Sequence, residues 1–412
     1  MTMATDKQDK VLNVPTLRFP EFTDEWELHP TTDFFEFKNG LNPDSKRFGS
    51  GTKFISVMDI LNNRYITYDK IKAFVEPKGN DLNEFGVNYG DILFQRSSET
   101  LEDVGRANVY LDKKTALFGG FVIRGKKIGD YNPLFFRYLL SSPHVRKRIV
   151  VKGAGAQHFN IGQDGLSKIS IFVPTTKEQE RIAQLFDLID ERIEAQIRII
   201  DKLQSLMKGL NDYLQDSVPL SYSLSFSDIG EDYSGLSGKN AEDFGSGKPY
   251  ITYVSIYANN FVDDDCSGKV SIERGEKQNV VQKGDMLFTL SSETPEEVCY
   301  GAVYSGNSTE TYLNSFCFGV RNTEEKVFSP YMAYFFNLSR FRREVYPLAQ
   351  GSTRFNLQKS DFLQKHFLYP SIEDQHRIFE ILNAYDNKIK VENQILAHYQ
   401  LQKEFLLRNL FI

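Results

Sequence analysis

Pro174-Thr-Thr-Lys-Glu178-Gln179-Glu-Arg181-Ile182 is answered, about 196 residues later, by Pro370-Ser-Ile-Glu-Asp374-Gln375-His-Arg377-Ile378. In each stretch a hydroxyl residue follows the proline and an acid stands three positions further on, the spacing of a capped helix start. The same offset holds upstream. Gly155-Ala-Gln-His-Phe159-Asn160 returns as Gly351-Ser-Thr-Arg-Phe355-Asn356, and Phe48-Gly-Ser-Gly-Thr-Lys-Phe54-Ile as Phe244-Gly-Ser-Gly-Lys-Pro-Tyr250-Ile. Gly90-Asp-Ile-Leu-Phe94 and Ser97-Ser-Glu-Thr100 reappear as Gly284-Asp-Met-Leu-Phe288 and Ser291-Ser-Glu-Thr294. Solenoid units repeat every 20–50 residues or so, so this longer period marks a duplicated domain. Such a chain suits a ligand with two similar sites.

The helix that each proline opens keeps its apolar seam for more than four heptads. In the first copy the seam runs Ile182, Phe186, Ile189, Ile193, Gln196, Ile200, Leu203 and on to Leu214. In the second it runs Ile378, Leu382, Tyr385, Ile389, Glu392, Leu396, Tyr399 and on to Leu410. The polar interruptions Gln196 and Glu392 fall at one repeat position, as register-setting residues do. About forty residues make a rod of roughly 60 Å. Neither stripe is stable bare in water, so the two helices are expected to pair with each other, antiparallel if an approximate two-fold axis relates the halves. The alternative is that each packs on its own domain.

The remaining sequence divides into a flexible leader (1–14), two similar mixed α/β halves (15–174 and 217–370) and the helices (175–216 and 371–412). Lys53–Val57 and Tyr250–Val254 read as β-rich runs, and the Gly-Asp turns feed strands at Ile92 and Met286. Pro133–Ile149 and Pro330–Val345 read as helices opened by proline.

The net charge of −6 argues against a uniformly basic coat. Basic residues nevertheless gather in matching places. The first half has Arg146, Lys147, Arg148 and Lys152, with Gln157, His158 and Asn160 beyond; the second has Arg340, Arg342, Arg343 and Arg354, with Asn356. Together with Arg47, Lys53, Arg96 and Lys248 these are the candidates for phosphate and base-edge contacts. A solvated helix face is the plain alternative.

Chemistry leaves little trace. Six histidines form no ligand cluster, none recurs in the other half, and Arg354 stands where the first half has His158. The repeated Ser-Ser-Glu lacks a recurring base and reads as a structural loop. Phosphate-cradling and dinucleotide glycine patterns are absent, as is the Asp/Asn-Pro-Pro-aromatic signature of amino-methyltransferases. No catalytic or metal-binding residue is assigned, and the acidic run Asp263-Asp264-Asp265 has no counterpart in the first half. The three cysteines, confined to the second half, fit a reducing cytoplasm. No apolar run reaches the roughly 18 residues of a membrane span.

The opening Leu17-Arg-Phe-Pro-Glu-Phe-Thr-Asp-Glu-Trp26 and the duplicated elements, in this order, resemble the specificity (S) subunit of a type I restriction–modification system. The second half departs from that pattern, because Val218-Pro-Leu-Ser-Tyr-Ser replaces the Arg-Phe-Pro opening. The resemblance implies an α+β chain: two target-recognition domains, each reading half of a bipartite double-stranded DNA sequence, separated by two long helices forming an antiparallel coiled coil. It implies that the helices, from Gln179 and Gln375 onward, help bind two methyltransferase (M) subunits, with restriction (R) subunits joining through the complex. It implies that this chain binds no cofactor, S-adenosylmethionine, ATP and Mg²⁺ being held by its partners. A non-DNA scaffold with two partner-binding domains is the competing expectation, and a nuclease is a weaker one.

Overall fold

The computed structural model describes residues 12–412, so most of the expected leader lies outside the described residues. Asn13, at its end, is held: its carbonyl accepts the Trp26 N–H at 2.9 Å. The chain forms two compact units, Met1–Arg198 with Gln394–Ile412, and Ile199–Asn393. Long helices Thr176–Asp216 and Ile372–Asn409 each contribute to both units, where the sequence suggested separate spacers.

The first unit is built on an antiparallel sheet in the order Phe35–Asn39, Val122–Lys127, Ile92–Gln95, Ala107–Val109. The second repeats that order with Gly230–Ser234, Cys317–Asn322, Met286–Thr289 and Gly301–Tyr304, then adds Phe261–Val262 at the edge. The Gly-Asp dipeptides explain themselves here. Asp91 is buried, accepts N–H bonds from Asn88 (3.0 Å) and Lys127 (2.8 Å), and so closes the turn that launches Ile92. Burial raises its carboxyl despite those donors. Asp285 does the same for Met286, accepting the Gln282 N–H at 2.8 Å and the Tyr233 hydroxyl at 2.6 Å.

Two expectations from the sequence need correction. Lys53–Val57 and Tyr250–Val254 are not strands throughout: the strands stop at Ile55 and Ile251, and Ser56 and Thr252 cap short helices Val57–Asn62 and Tyr253–Ala258. The helix expected over 133–149 is two, Pro133–Ser141 and Pro143–Val150. Pro143 has no N–H to continue the first ladder, and Ser142 instead caps the second by accepting the Val145 N–H. The second unit breaks likewise, into Ser329–Phe335 and Ser339–Val345.

Each core takes in stretches of both long helices. In the first, Ile182 and Phe186 are buried with Leu410 and Phe411 against Trp26, Phe135 and Tyr138, the Phe186 and Phe411 rings stacking at 5.7 Å. Lys403 Nζ meets Asp190 Oδ1 at 2.6 Å, and the Arg192 guanidinium lies over the Tyr399 ring at 5.4 Å. In the second, Ile378 and Leu382 are buried, with Met207, Leu210 and Leu214 packed against the same cluster. Packing on a domain and helix-to-helix contact therefore coexist. Tyr385 is the exception in the seam at 38% exposed, because Asp386 turns inward toward the Tyr334 hydroxyl instead.

Candidate nucleic-acid interface

In both units the repeated fragments, distant in sequence, converge on one small ladder. Ser97–Ser98 pairs antiparallel with Phe159–Asn160, and Ser291–Ser292 pairs with Phe355–Asn356. The Ser97 hydroxyl donates to Asn160 Oδ1, and Ile161 N–H donates to the Arg96 carbonyl at 3.0 Å. The glycine of each Gly-x-x-x-Phe-Asn is dictated by this turn. Gly155 and Gly351 adopt φ of +147° and +144°, and a Cβ on either would lie 2.0 Å from the carbonyl oxygen three residues on. What the turn presents differs between units. The first exposes Gln157, His158 and Asn160; the second exposes Thr353, Arg354 and Asn356.

An exposed aromatic stands beside each ladder. Phe121 is 70% exposed and its carbonyl accepts the Arg96 N–H at 2.9 Å. Phe316 is 55% exposed, its carbonyl accepts the Leu290 N–H at 2.9 Å, and the Arg354 guanidinium lies 5.5 Å from its ring. In the first unit Phe121 shares a cavity of about 400 Å³ with Phe48 and Met58, both exposed. In the second a cavity of about 640 Å³ is lined by Tyr253, Tyr257, Ser291, Ser292 and Arg354. Phe121 and Phe316 escaped sequence reading, although an aromatic recurring just before each Val122 and Cys317 strand was the available signal. Ser97 and Ser291, read from the sequence as part of a structural loop, stand on short strands and build the ladder's frame.

The Phe-Gly-Ser-Gly fragments are bulges: Phe48 and Thr52 both register with Val75, as Phe244 and Lys248 do with Val270. The residues between them protrude and are exposed.

The basic candidates are not one surface. Arg146 is a half-buried structural residue, its guanidinium donating to the Glu102 and Val104 carbonyls at 2.8 and 2.7 Å; desolvation pushes it down to about 10. Arg342 is spent in the same manner on the carbonyls of Glu296, Val298 and Cys299. Arg148 donates to the Ser170 carbonyl at 2.8 Å and covers Phe172. Arg47 is tied to Glu76 and Asp81, Lys53 to the Ile71 carbonyl, and Lys248 to Glu310. Arg96 donates to the Gly120 carbonyl at 3.2 Å, and Arg340 lies 6.0 Å from the Phe335 ring. Arg343 reaches back to the Ser339 carbonyl at 3.3 Å. Lys147, Lys152 and Arg354 remain exposed. Arg146 and Arg342 thus satisfy carbonyls of loops distant in sequence, at residues 102–104 and 296–299.

Two residues expected at the partner interface are internal clamps. Gln179 accepts the Asn132 N–H at 2.9 Å and donates to the Pro174 carbonyl at 3.0 Å. Gln375 accepts the Phe328 N–H at 2.8 Å and donates to Lys326 and Pro370 carbonyls at 2.8 and 3.0 Å. They fasten each long helix to the loop before the proline-opened helix. Farther along, Ile200, Gln196 and Glu392 are buried, whereas Ile189, Ile193, Leu203, Leu396 and Tyr399 are half-buried. Among the described residues no three His, Cys, Asp or Glu side chains are grouped to hold a metal, and no helix is long and apolar enough to cross a membrane.

Comparison with known proteins gives a consistent relation. Residues 23–205 and 228–398 each match the family model described as type I restriction modification DNA specificity domain. Over 184 residues the chain is 27% identical to the type I restriction enzyme EcoKI specificity subunit of Escherichia coli (strain K12). That match spans 42% of this chain and 39% of the length of the curated relative. The fold is that of the type I restriction–modification S subunit from M. genitalium, with a TM-score of 0.53, 15% identity and coverage of 97% of this chain and 99% of that one. A second chain, from a structural study of complex assembly and conformational transition in the type I system, gives a TM-score of 0.58 at 12% identity, covering 93% and 96%.

Proposed function

This chain belongs to the type I restriction modification DNA specificity family, whose domain it carries twice, and we propose that it is the sequence-reading subunit of such a system. The observation that carries this is the doubled ladder. One frame, Ser-Ser paired with Phe-Asn, presents different side chains in each unit. Amide, imidazole and guanidinium groups beside an exposed aromatic offer donors and acceptors for base edges and an apolar surface for thymine methyls. Each unit then reads one half of a bipartite duplex target, and the halves need not be alike.

The two long helices pair antiparallel as a coiled coil and set the gap between half-sites. Joining two weak readers at a fixed spacing raises their effective concentration only on targets whose gap fits. Two methyltransferase subunits dock along the exposed parts of the helices, and restriction subunits join through them. In this reading S-adenosylmethionine, ATP and Mg²⁺ reside on those partners, the chain performs no chemistry itself, and it works in the cytoplasm.

The test is co-expression with its methyltransferase partner in a methylation-free host, followed by single-molecule sequencing for N6-methyladenine. The expected result is a two-part motif with a fixed gap that vanishes when this chain is omitted. A stable complex that adds no methylation, with no duplex binding, would instead leave the scaffold reading.

A further inference from the structure

The duplication supplies its own control at the junction of each sheet domain with its helix segments. In the first unit Asp190 is nearly encased in donors: the Tyr138 hydroxyl at 2.8 Å, Lys403 Nζ at 2.6 Å and Arg137 Nη1 at 3.4 Å. Beside it Arg64, only 8% exposed, bonds Asp187 and lies 3.7 Å from both Glu191 and Glu194. Three cations from three segments thus brace this unit's helix.

At the repeat offset of about 196 residues the acceptor pair survives and the cations do not. Tyr334 and Asp386 stand for Tyr138 and Asp190, the hydroxyl now 3.4 Å from the carboxylate. Ala333 replaces Arg137, Met207 replaces Lys403, and Asn260 replaces Arg64. Where those long side chains would have lain, the second unit has a cavity of about 410 Å³ lined by Met207, Asn211, Asn260, Tyr334 and Asp386 among others. A second acceptor waits in its wall. Asn211 is 5% exposed; its amide N–H donates to the Tyr334 carbonyl at 2.9 Å, and its buried Oδ1 has no hydrogen-bond partner among the described residues. An unmatched buried acceptor is costly to leave so. Desolvation raises the Asp386 carboxyl, with Lys390 opposing.

The other charged groups at the cavity are accounted for. Arg342 is committed to three backbone carbonyls and stacks on Tyr300 at 4.7 Å. Lys208, exposed, also lines the cavity, and its side chain is free to swing into solvent.

We propose that this cavity binds a small organic cation, an alkylguanidinium or alkylammonium, whose head sits between Asp386 and Asn211 Oδ1 and whose stem lies along Met207. The bound cation restores from outside the brace that the first unit makes from its own chain. The volume suits a small ligand, and the first unit shows that ammonium and guanidinium heads both satisfy this carboxylate–tyrosine pair. The inference is independent of what the ladders read.

A ligand-observed NMR titration of the full chain tests it, with n-butylguanidinium and n-butylammonium as probes, n-butylurea as the neutral isostere and inorganic phosphate as the anion. The expected result is saturable one-site binding of either cation, at least about tenfold tighter than the urea. Asp386→Asn weakens it about tenfold or more, and Met207→Lys with Ala333→Arg abolishes it by refilling the cavity. Binding of the urea as tight as the cation, preference for phosphate, cation binding untouched by Asp386→Asn, or no saturable binding would each overturn it. Far-UV circular dichroism on Asp386→Asn confirms that the variant is folded.

Discussion

Arg18 and Glu178, separated by 160 positions, meet in a two-pronged ion pair: Nε to Oε1 at 2.8 Å and Nη2 to Oε2 at 2.7 Å. The carboxylate is 1% exposed and also accepts the Trp26 indole N–H at 3.3 Å. The acid expected to cap its own helix is thus the anchor of the Arg-Phe-Pro…Trp opening. In the second half Asp374 is one methylene shorter and completes the Ser371 cap, its N–H donating to Ser371 Oγ at 3.2 Å while its carboxylate accepts the Ser371 hydroxyl and the Arg377 guanidinium, each at 2.8 Å. A half without the opening has no need of the longer acid.

Removing Arg18 strands a buried carboxylate. Arg18→Ala is expected to cost the first unit about 3–5 kcal/mol, whereas Asp374→Ala, the loss of a cap, costs about 1 kcal/mol. Urea unfolding followed by fluorescence checks the first figure directly, since Trp26 is the sole tryptophan and belongs to that unit. Equal, small losses in both variants would refute the anchor.

Gln179→Ala and Gln375→Ala each leave a backbone N–H, of Asn132 or Phe328, without its acceptor. Each is expected to cost about 1–3 kcal/mol. If the side chains instead served mainly to hold a partner, stability of the isolated chain would not change while methyltransferase binding would fall.

Gly155→Ala and Gly351→Ala force a side chain against a carbonyl in a left-handed turn. A destabilisation of about 1–3 kcal/mol is expected at each. Each variant should also lose methylation at its own altered half-site, which sequencing of the methylated motif resolves.

On duplex DNA, Asn160→Ala and Arg354→Ala should each relax one half of the motif, at about 1–3 kcal/mol per lost base contact. Lys147→Ala should leave sequence preference intact and flatten the salt slope by about one contact. Arg146→Ala should fail for a different reason, by unfolding, because its guanidinium holds two carbonyls.

Asp386 gives the second unit a pH signature. Its carboxyl is raised by burial, so between the unfolded and folded titration points the native state holds more protons and stability falls as pH rises. Asp386→Asn removes that loss. The variant should melt higher than the parent above this window, and the advantage should shrink as pH drops below the ordinary carboxylate range. A constant offset across pH would exclude the carboxylate as the cause.

Sequence alone carried the duplication, the turn-closing aspartates and the long helices, because these rest on local patterns with fixed spacing. It misread the reach of arginines. Arg146 and Arg342 look like a basic patch in a string of letters, but each guanidinium reaches across to the carbonyls of a loop more than forty residues upstream, and that pairing is invisible in local sequence. Phe121 and Phe316 were passed over for a different reason: an aromatic leading into an apolar strand reads as core, and only the structure shows each lying just before its strand and exposed. Nor did the pattern disclose that Gln179 and Gln375 face inward, since a glutamine at a helix start suits a clamp and a docking surface equally.

Leu410 and Phe411 lie in the core that contains Trp26 and Phe135, and this has a bearing on how the chain is born. Residues 199–393, a continuous stretch, intervene between the two parts of the first unit. At ordinary translation speeds of about 5–20 residues per second, that delay is on the order of 10–40 s. The domain synthesised first is therefore the one completed last, holding an unfilled aromatic core on the ribosome while the second closes from its own continuous chain. Nascent-chain aggregation and chaperone capture should concentrate on the first unit.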